Sequence, residues 1–405
     1  FVDSVMATPL PTYGFDYSLV RNPDIDTAYN ALITYVIPGS PAAQAGLERG
    51  DWIMKVDTSY ISKKYETYLL QGTKAVKLTL GEWKEVEIED EEDGNEGGDG
   101  EDEGPTMEYR VVPIDDPVEM PAAQIVEDNP VHKYEIIESP VKKIRVGYLM
   151  YNSFTAGTKA EPEKYNNELR SVSQKFKEAG VQAVILDLRY NEGGSMDCVQ
   201  LLGTILTSAN RLGEPMAYLE YNDKNTDKDA TILFGTDMEI NLNLHSLIAI
   251  TSGTTMGAPE MLIRSLFLED TYPIATVGSS TKGQNVATEQ FINEEFLWSV
   301  NPVVCTVYNS QHDTYGAISP ATDLKVSETT IDGSTNYSEF LPFGTFDKDG
   351  KSERLLKIAI GVLDGTYPPK DDETPEESTT QTRFKVEKSV SSPASRRFSS
   401  KGLRL

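Results

Sequence analysis

"ITSGTTMGAPEMLI", residues 250–263, is the stretch on which the reading of this chain turns. A short apolar run ends in a Ser-Gly-Thr turn, and a helical-looking segment follows. This is how a strand delivers a nucleophile to a helix N-terminus, where unpaired backbone N–H groups can face developing negative charge. Yet where a reactive serine is expected, the chain offers Met256 and Gly257.

Reading outward from this stretch, the same alternation recurs. "KIRVGYLMYNSF" reads as a buried strand, and a helix follows around Glu163–Lys177. Tyr165, Leu169, Val172 and Phe176 fall on one face of that helix. "VQAVILDL" is a second apolar strand, followed by a turn and a helix near Met196–Leu206. "SLIAITSG" is a third strand, and residues 258–268 form its helix. Repeated strand–helix units with fully apolar strands predict an α/β core over 143–366 with a largely parallel sheet.

The N-terminal third has a different texture. Residues 10–113 read as short strands and turns. Leu32–Ile37 is a strand, Pro41–Ala45 a short helix, and "AVKLTL" and "MEYRVVPI" are partner strands. Between these partners lies "EDEEDGNEGGDGEDE", with ten acids and no base over 89–103. Like charges among glycines bury no core, so 89–104 reads as a solvated insertion in a hairpin. A calcium role is the alternative, but the ligand spacing of an EF-hand is absent. Residues 114–142, with Pro117, Pro121, Pro130 and Pro140, read as a linker. Residues 1–9 read as the remnant of an N-terminal segment, and 367–405 as a polar mobile tail.

Composition narrows the function classes. The chain has 405 residues, room for two or three domains, and 39% hydrophobic content. The net charge of −27 argues against nucleic-acid binding, which needs clustered Lys and Arg. Two distant cysteines, Cys198 and Cys305, make neither a disulfide framework nor a zinc site, and three scattered histidines make no metal cluster. No cofactor is therefore expected. No apolar run has the length of a membrane span, and the first residues lack the pattern of a signal peptide. Either the protein is cytoplasmic or a targeting segment has been removed.

Several motifs carry a resemblance. "YVIPGSPAAQAGLERGDWIMKVD" (35–57) resembles the most recognisable part of a PDZ domain, matching at Pro38–Ala42, Ala45–Leu47, Gly50, Asp51, Ile53 and Val56. Such domains bind peptide C-termini by strand addition. The resemblance implies that "TYGFDY", with Tyr13, Gly14 and Phe15, is the carboxylate-binding loop. Four further stretches resemble the C-terminal processing, or tail-specific, serine peptidases. "VILDLRYNEGGS" looks like their "DLRxNxGG" turn, and "TVGSSTKGQNV" like their "GexTxGKNV" segment. "YGAISPATDLKV" looks like "GIxPDxxV", and "LPFGTFDKDGKSERLLKIAIGVLDG" like their closing helix. The order is the family's order, and the match spans roughly 10–366. The resemblance implies a ClpP/crotonase-like core, protein C-termini as partners, and the exported Bacteroidetes-type members as relatives. It further implies a periplasmic or extracytoplasmic location, with lipid anchoring through a removed N-terminus as one route.

In that family a serine of "TASASE" attacks the peptide carbonyl and a lysine takes its proton, which requires a neutral, desolvated amine. Aligning "SGTTMGAPE" on the family's "SGxTASASE" fixes Gly253, Thr255, Ala258 and Glu260. Gly257 then stands at the nucleophile position and Pro259 at the next serine's. Aligning the second segment puts Gln284 at the base position. By resemblance, the oxyanion donors are the backbone N–H groups of Gly193 and Ala258. Glycine has no nucleophilic atom, and an amide accepts no proton near neutral pH. One reading is a peptide-binding pseudopeptidase. The alternative is an active endopeptidase in which Thr254, Thr255 or Ser252 attacks and Lys282 serves as a displaced base. Arg189 is expected to brace its turn by pairing with a carboxylate, Asp187 to cap backbone amides, Cys198 to be a buried apolar-like residue, and His245 to be structural.

Overall fold

In the computed structural model, the described residues are 10–88, 106–127, 129–236, 240–293, 295–296, 298–326, 334–336, 340–347, 351–367, 383–391 and 401–405. The N-terminal unit is built on a nine-stranded sheet whose paired strands all run antiparallel. Its main path runs Ser334–Asn336, Arg383–Val390, Phe15–Arg21, Tyr29–Val36, Trp52–Val56, Val76–Ile88 and Thr106–Pro113. The Pro-Gly turn after Tyr29–Val36 leads into a one-turn helix, Pro41–Gln44. Proline at its first position loses no intrahelical bond, and Ser40 Oγ accepts the Ala43 N–H at 3.2 Å as an N-cap. Ile88 pairs with Thr106, so the acidic insertion does connect two partnered strands. The insertion itself lies outside the described residues, as do residues 1–9.

The second unit carries a five-stranded sheet in the order Ile274–Gly278, Leu247–Thr251, Ala183–Asp187, Arg145–Tyr151 and Val131–Glu138. The first four strands are parallel and the last is antiparallel. Alternation along each strand sends residues to two cores. Val184, Leu186, Leu247 and Ala249 join the cluster that holds the helices Lys164–Glu178, Met196–Leu206 and Ala258–Leu266. Ile185, Ile248 and Ile250 face the opposite side, where the helix Arg354–Asp364 packs. With both faces covered, the two central strands, Ala183–Asp187 and Leu247–Thr251, are buried at every position, as their apolar sequences predict. Tyr165, Leu169, Val172 and Phe176 are all buried.

Two expectations are corrected. The linker expected over 114–142 contains two strands: Val118–Met120 pairs with Val76–Leu78, and Val131–Glu138 pairs with Arg145–Tyr151. The four prolines misled because they sit just outside these strands, at 117, 121, 130 and 140, where a missing N–H costs no ladder bond. The mobile tail expected over 367–405 contributes Arg383–Val390 to the N-terminal sheet and Gly402–Arg404 to a third sheet. Polar composition hid both strands, because strands that fill a gap between existing strands draw on backbone pairing more than on their own apolar residues. The remaining tail residues, 368–382 and 392–400, lie outside the description.

Candidate active site

The third sheet positions the site. Its order is Gly193–Ser195, Gly402–Arg404, Val286–Thr288, Val303–Tyr308, Pro215–Tyr221 and Ala230–Leu233. At one end, the turn 191–194 and the start of the helix Ala258–Leu266 come together. Asn191 makes this junction. Its Oδ1 accepts the Gly193 N–H at 3.0 Å, its Nδ2 donates to Tyr151 O at 2.8 Å, and its carbonyl accepts the Met256 N–H at 3.2 Å. Gly257 is the N-cap of the helix, at φ 69° and ψ −101°, a backbone state that only glycine adopts without strain.

A buried carboxylate links the two aligned positions. Glu260 Oε2 accepts the N–H of Gly257 at 2.8 Å and that of Gln284 at 2.9 Å. Its Oε1 accepts the Gly283 N–H at 2.5 Å and the Thr281 hydroxyl. Glu260 is wholly buried, and its four donors neutralise the cost of burying a charge. The helix start and the 281–284 loop are thereby held on one anchor. The stretch "YGAISPATDLKV" supports the loop from behind, since the Ile318 N–H donates to Thr281 Oγ1 and the Thr281 N–H to Ile318 O. Sequence reading used Glu260 only as an alignment point. The signal was present, however: glutamate at the third helical position after the cap is half of a capping box.

Arg189 braces the base of the site as expected. Its guanidinium lies between Asp187, at 2.7 Å, and Glu353, at 2.9 Å, and all three side chains are buried. Burial holds Asp187 above its ordinary value despite the neighbouring guanidinium. Burial opposes ionisation of Glu353 too, but Arg189, Arg49 and the Leu356 N–H outweigh it and hold that carboxyl low. Asp187 Oδ1 also accepts the Arg189 N–H, at 3.2 Å. Cys198 is fully buried, and burial pushes its thiol up to about 12. His245, expected to be structural, is instead exposed on the chain just before its strand.

The hydroxyls of the alternative reading are committed elsewhere. Thr255 is buried, and its Oγ1 donates to Leu188 O at 2.9 Å. Thr254 Oγ1 donates to Arg189 O at 2.9 Å, and Ser252 Oγ also donates to Arg189 O. Lys282 is exposed, although its N–H bonds Thr255 O at 3.0 Å and so brings the two backbones side by side.

The cleft is filled by the chain itself. Gly402–Arg404 lies between Gly193–Ser195 and Val286–Thr288, parallel to both. Gly402 pairs with Gly193, and Leu403 sits between Gly194 and Ala287. The Gly402 N–H donates to Glu192 O at 2.7 Å, and the Leu405 N–H to Thr288 O at 3.0 Å. A Cβ placed on Gly257 would lie 2.5 Å from Gly402 Cα, and one placed on Gly402 would overlap the Gln284 amide. The Gly402 backbone therefore stands between the two aligned positions.

The PDZ-like loop is also covered. Tyr13 and Phe15 are buried, Gly14 N–H donates to Thr12 Oγ1 at 3.0 Å, and Gly14 O accepts the Ile37 N–H at 2.8 Å. The outer edge of Phe15–Arg21 is paired with Arg383–Val390, with Tyr17 opposite Val390 and Leu19 opposite Lys388. Glu387 pairs with Lys63 at 2.9 Å, and Lys388 pairs with the buried Glu66.

With this geometry in place, comparison with known proteins is decisive. A crystal structure from Bacteroides fragilis, assigned to the S41 proteases, is 38% identical and covers 89% of this chain and 84% of its own, with a TM-score of 0.74. The chain belongs to peptidase family S41. The sequence profile of that family matches residues 145–300, and the PDZ profile matches residues 32–79. Weaker likenesses reach a photosystem II D1 C-terminal processing protease, at 17% identity, 80% and 74% coverage and TM-score 0.39. A peptidase-like structure from Parabacteroides merdae gives 19% identity, 57% and 66% coverage and TM-score 0.35. No curated protein matches. The S41 chain thus joins a PDZ unit to an S41 core. Among the described residues, no helix is long and apolar enough to cross a membrane.

Proposed function

We propose that this S41 chain is a peptide-binding pseudopeptidase. The observation that carries the reading is the pair of residues converging on Gly402: Gly257 at the helix start and Gln284 on the opposite loop, both tied to Glu260. By the motif resemblance these are the nucleophile and base positions, and neither residue supplies the chemistry. Losing a nucleophile costs on the order of 10⁶ in turnover. By the same resemblance Gly193 and Ala258 stand at the oxyanion positions, and the Gly193 N–H is engaged by Asn191 Oδ1. Such a site retains the means to hold an extended peptide while lacking the means to cut it. Protein C-termini are the proposed partners, through the PDZ edge beside Tyr13–Phe15 and through the cleft, with no cofactor. An extracytoplasmic location is proposed from the resemblance to exported relatives. The test is a parallel assay of binding and cleavage with unstructured peptides. Binding without cleavage supports the reading, and turnover abolished by Lys282→Ala or Thr255→Val overturns it in favour of the displaced dyad.

A further inference from the structure

The strand Gly402–Arg404 shows what the cleft accepts. It is added to walls on both sides, Gly193–Ser195 and Val286–Thr288, and runs parallel to each. Its recognition has two parts. Backbone pairing through Glu192 O and Thr288 O holds any extended segment. Beyond an ion pair of the exposed Lys401 with Glu192 at 3.5 Å, side-chain reading falls on two places. At 402 the φ is 83°, and a Cβ there would overlap the Gln284 amide, so glycine is required. At 403 the leucine is 1% exposed within the main apolar cluster, so a large apolar side chain is required. Leu405, by contrast, is 37% exposed and carries little selection.

The floor of the cleft matches its occupant. A side chain at 257 would collide with the Gly402 backbone, so this strand and a nucleophile at that position exclude each other. The glycine at 257 is then a condition for receiving the strand as well as the loss of a serine. Earlier in the chain, Arg383–Val390 pairs antiparallel with Phe15–Arg21, so a second strand of this region covers the edge of the N-terminal sheet.

We infer that the cleft over Gly257 and Gln284 is a displaceable strand receptor selective for glycine followed by a large apolar residue, and that its resident ligand is the chain's own Lys401–Leu405. The inference rests on the reading of this site as a peptide-binding cleft. A peptide bearing Gly-Leu in a free segment competes with the resident strand, and its apparent affinity is lowered by the fraction of time the cleft is filled.

The experiment uses the full chain and a fluorescent, end-blocked Lys-Gly-Leu-Arg-Leu peptide, with Lys-Gly-Asp-Arg-Leu as control. Two variants expel the resident strand without touching the cleft walls: Leu403→Asp and Gly402→Val. Both should bind the peptide at least tenfold more tightly than the unmodified chain, and none should bind the control. Circular dichroism establishes that each variant is folded. A third arm needs no variant: hydrogen exchange on the unmodified chain should show protected amides at Gly402 and Leu405, and excess peptide should reduce that protection. Equal peptide affinity across folded proteins overturns the inference, as does unprotected exchange at 402 and 405. Cleavage of the peptide would overturn the pseudopeptidase reading while leaving the receptor standing. Absence of both binding and cleavage would do the reverse.

Discussion

Replacing Glu260 with glutamine keeps its shape and removes its charge, and the consequence follows from counting donors. Oε1 faces the Thr281 hydroxyl and the Gly283 N–H, and Oε2 faces the N–H groups of Gly257 and Gln284. If the new NH₂ takes the Oε2 place, it meets two backbone donors that have no acceptor. If it takes the Oε1 place, the Thr281 hydroxyl, which already accepts the Ile318 N–H, can accept the new N–H on its second lone pair, leaving the Gly283 N–H as the one stranded backbone donor and turning the hydroxyl's own hydrogen off the carboxylate. The second orientation is cheaper. One stranded buried donor costs about 1–3 kcal/mol, and the remaining bonds lose their charge assistance, so Glu260→Gln should destabilise by about 2–3 kcal/mol. Glu260→Ala strands all four donors and should cost about 4–5 kcal/mol. With a urea slope of about 3 kcal/mol/M, the glutamine variant should lower the unfolding midpoint by about 0.8 M at unchanged slope. Hydrogen exchange should localise the effect to Gly283 and Gln284. A midpoint within about 0.2 M of the unmodified protein, or a glutamine variant worse than the alanine variant, would refute the claim that this carboxylate holds the two loops together.

Arg189→Met should cost about 3–5 kcal/mol at neutral pH, because it removes the guanidinium shared by two buried carboxyls and leaves Asp187 with the Tyr148 hydroxyl and Glu353 with Arg49 and the Leu356 N–H. Both carboxyls would then favour protonation, so the gap to the unmodified chain should narrow as pH falls from 7 towards 4 in unfolding titrations. Asp364 accepts bonds from Ser139 Oγ and the N–H groups of Val141 and Lys142. Burial opposes its ionisation, but these donors outweigh it and depress its pKa below the ordinary 3.8. Its contribution is present above that value and lost as pH falls through the depressed one. Asp364→Asn should therefore be about 1–3 kcal/mol less stable at pH 7, with the difference shrinking as pH falls below 3.8 and through the depressed pKa. Gly257→Ser should cost about 1–3 kcal/mol from backbone strain, and its Cβ should also expel the resident strand, seen as lost amide protection at Gly402.

The α/β core was legible because its strands and helices each bury a complete face: Val184–Leu186 and the Tyr165–Phe176 stripe announce themselves by apolar content alone. Gly193 and Gly257, singled out by resemblance, both take a positive φ that only glycine adopts without strain, which is a backbone reason for glycine at each. Other parts had no such marker. Val131–Glu138 is buried only at Val131 and otherwise half-buried or exposed at the sheet edge, and its flanking prolines resemble loop punctuation. The strands at 383–390 and 402–404 owe their place to partners far along the chain, at 15–21 and 334–336 for the first and at 193–195 and 286–288 for the second, and no local pattern records that. Glu260 was visible as a letter, but its four partners converge only when the helix and the 281–284 loop have met.

The central claim is tested most directly by incubating the unmodified chain with a quenched fluorogenic peptide of unstructured sequence, beside the Lys282→Ala and Thr255→Val variants. The account predicts no turnover above the buffer background for any of the three, while the same peptide binds. Turnover by the unmodified chain would contradict it, and its loss in both variants would point to a hydroxyl and an amine outside positions 257 and 284.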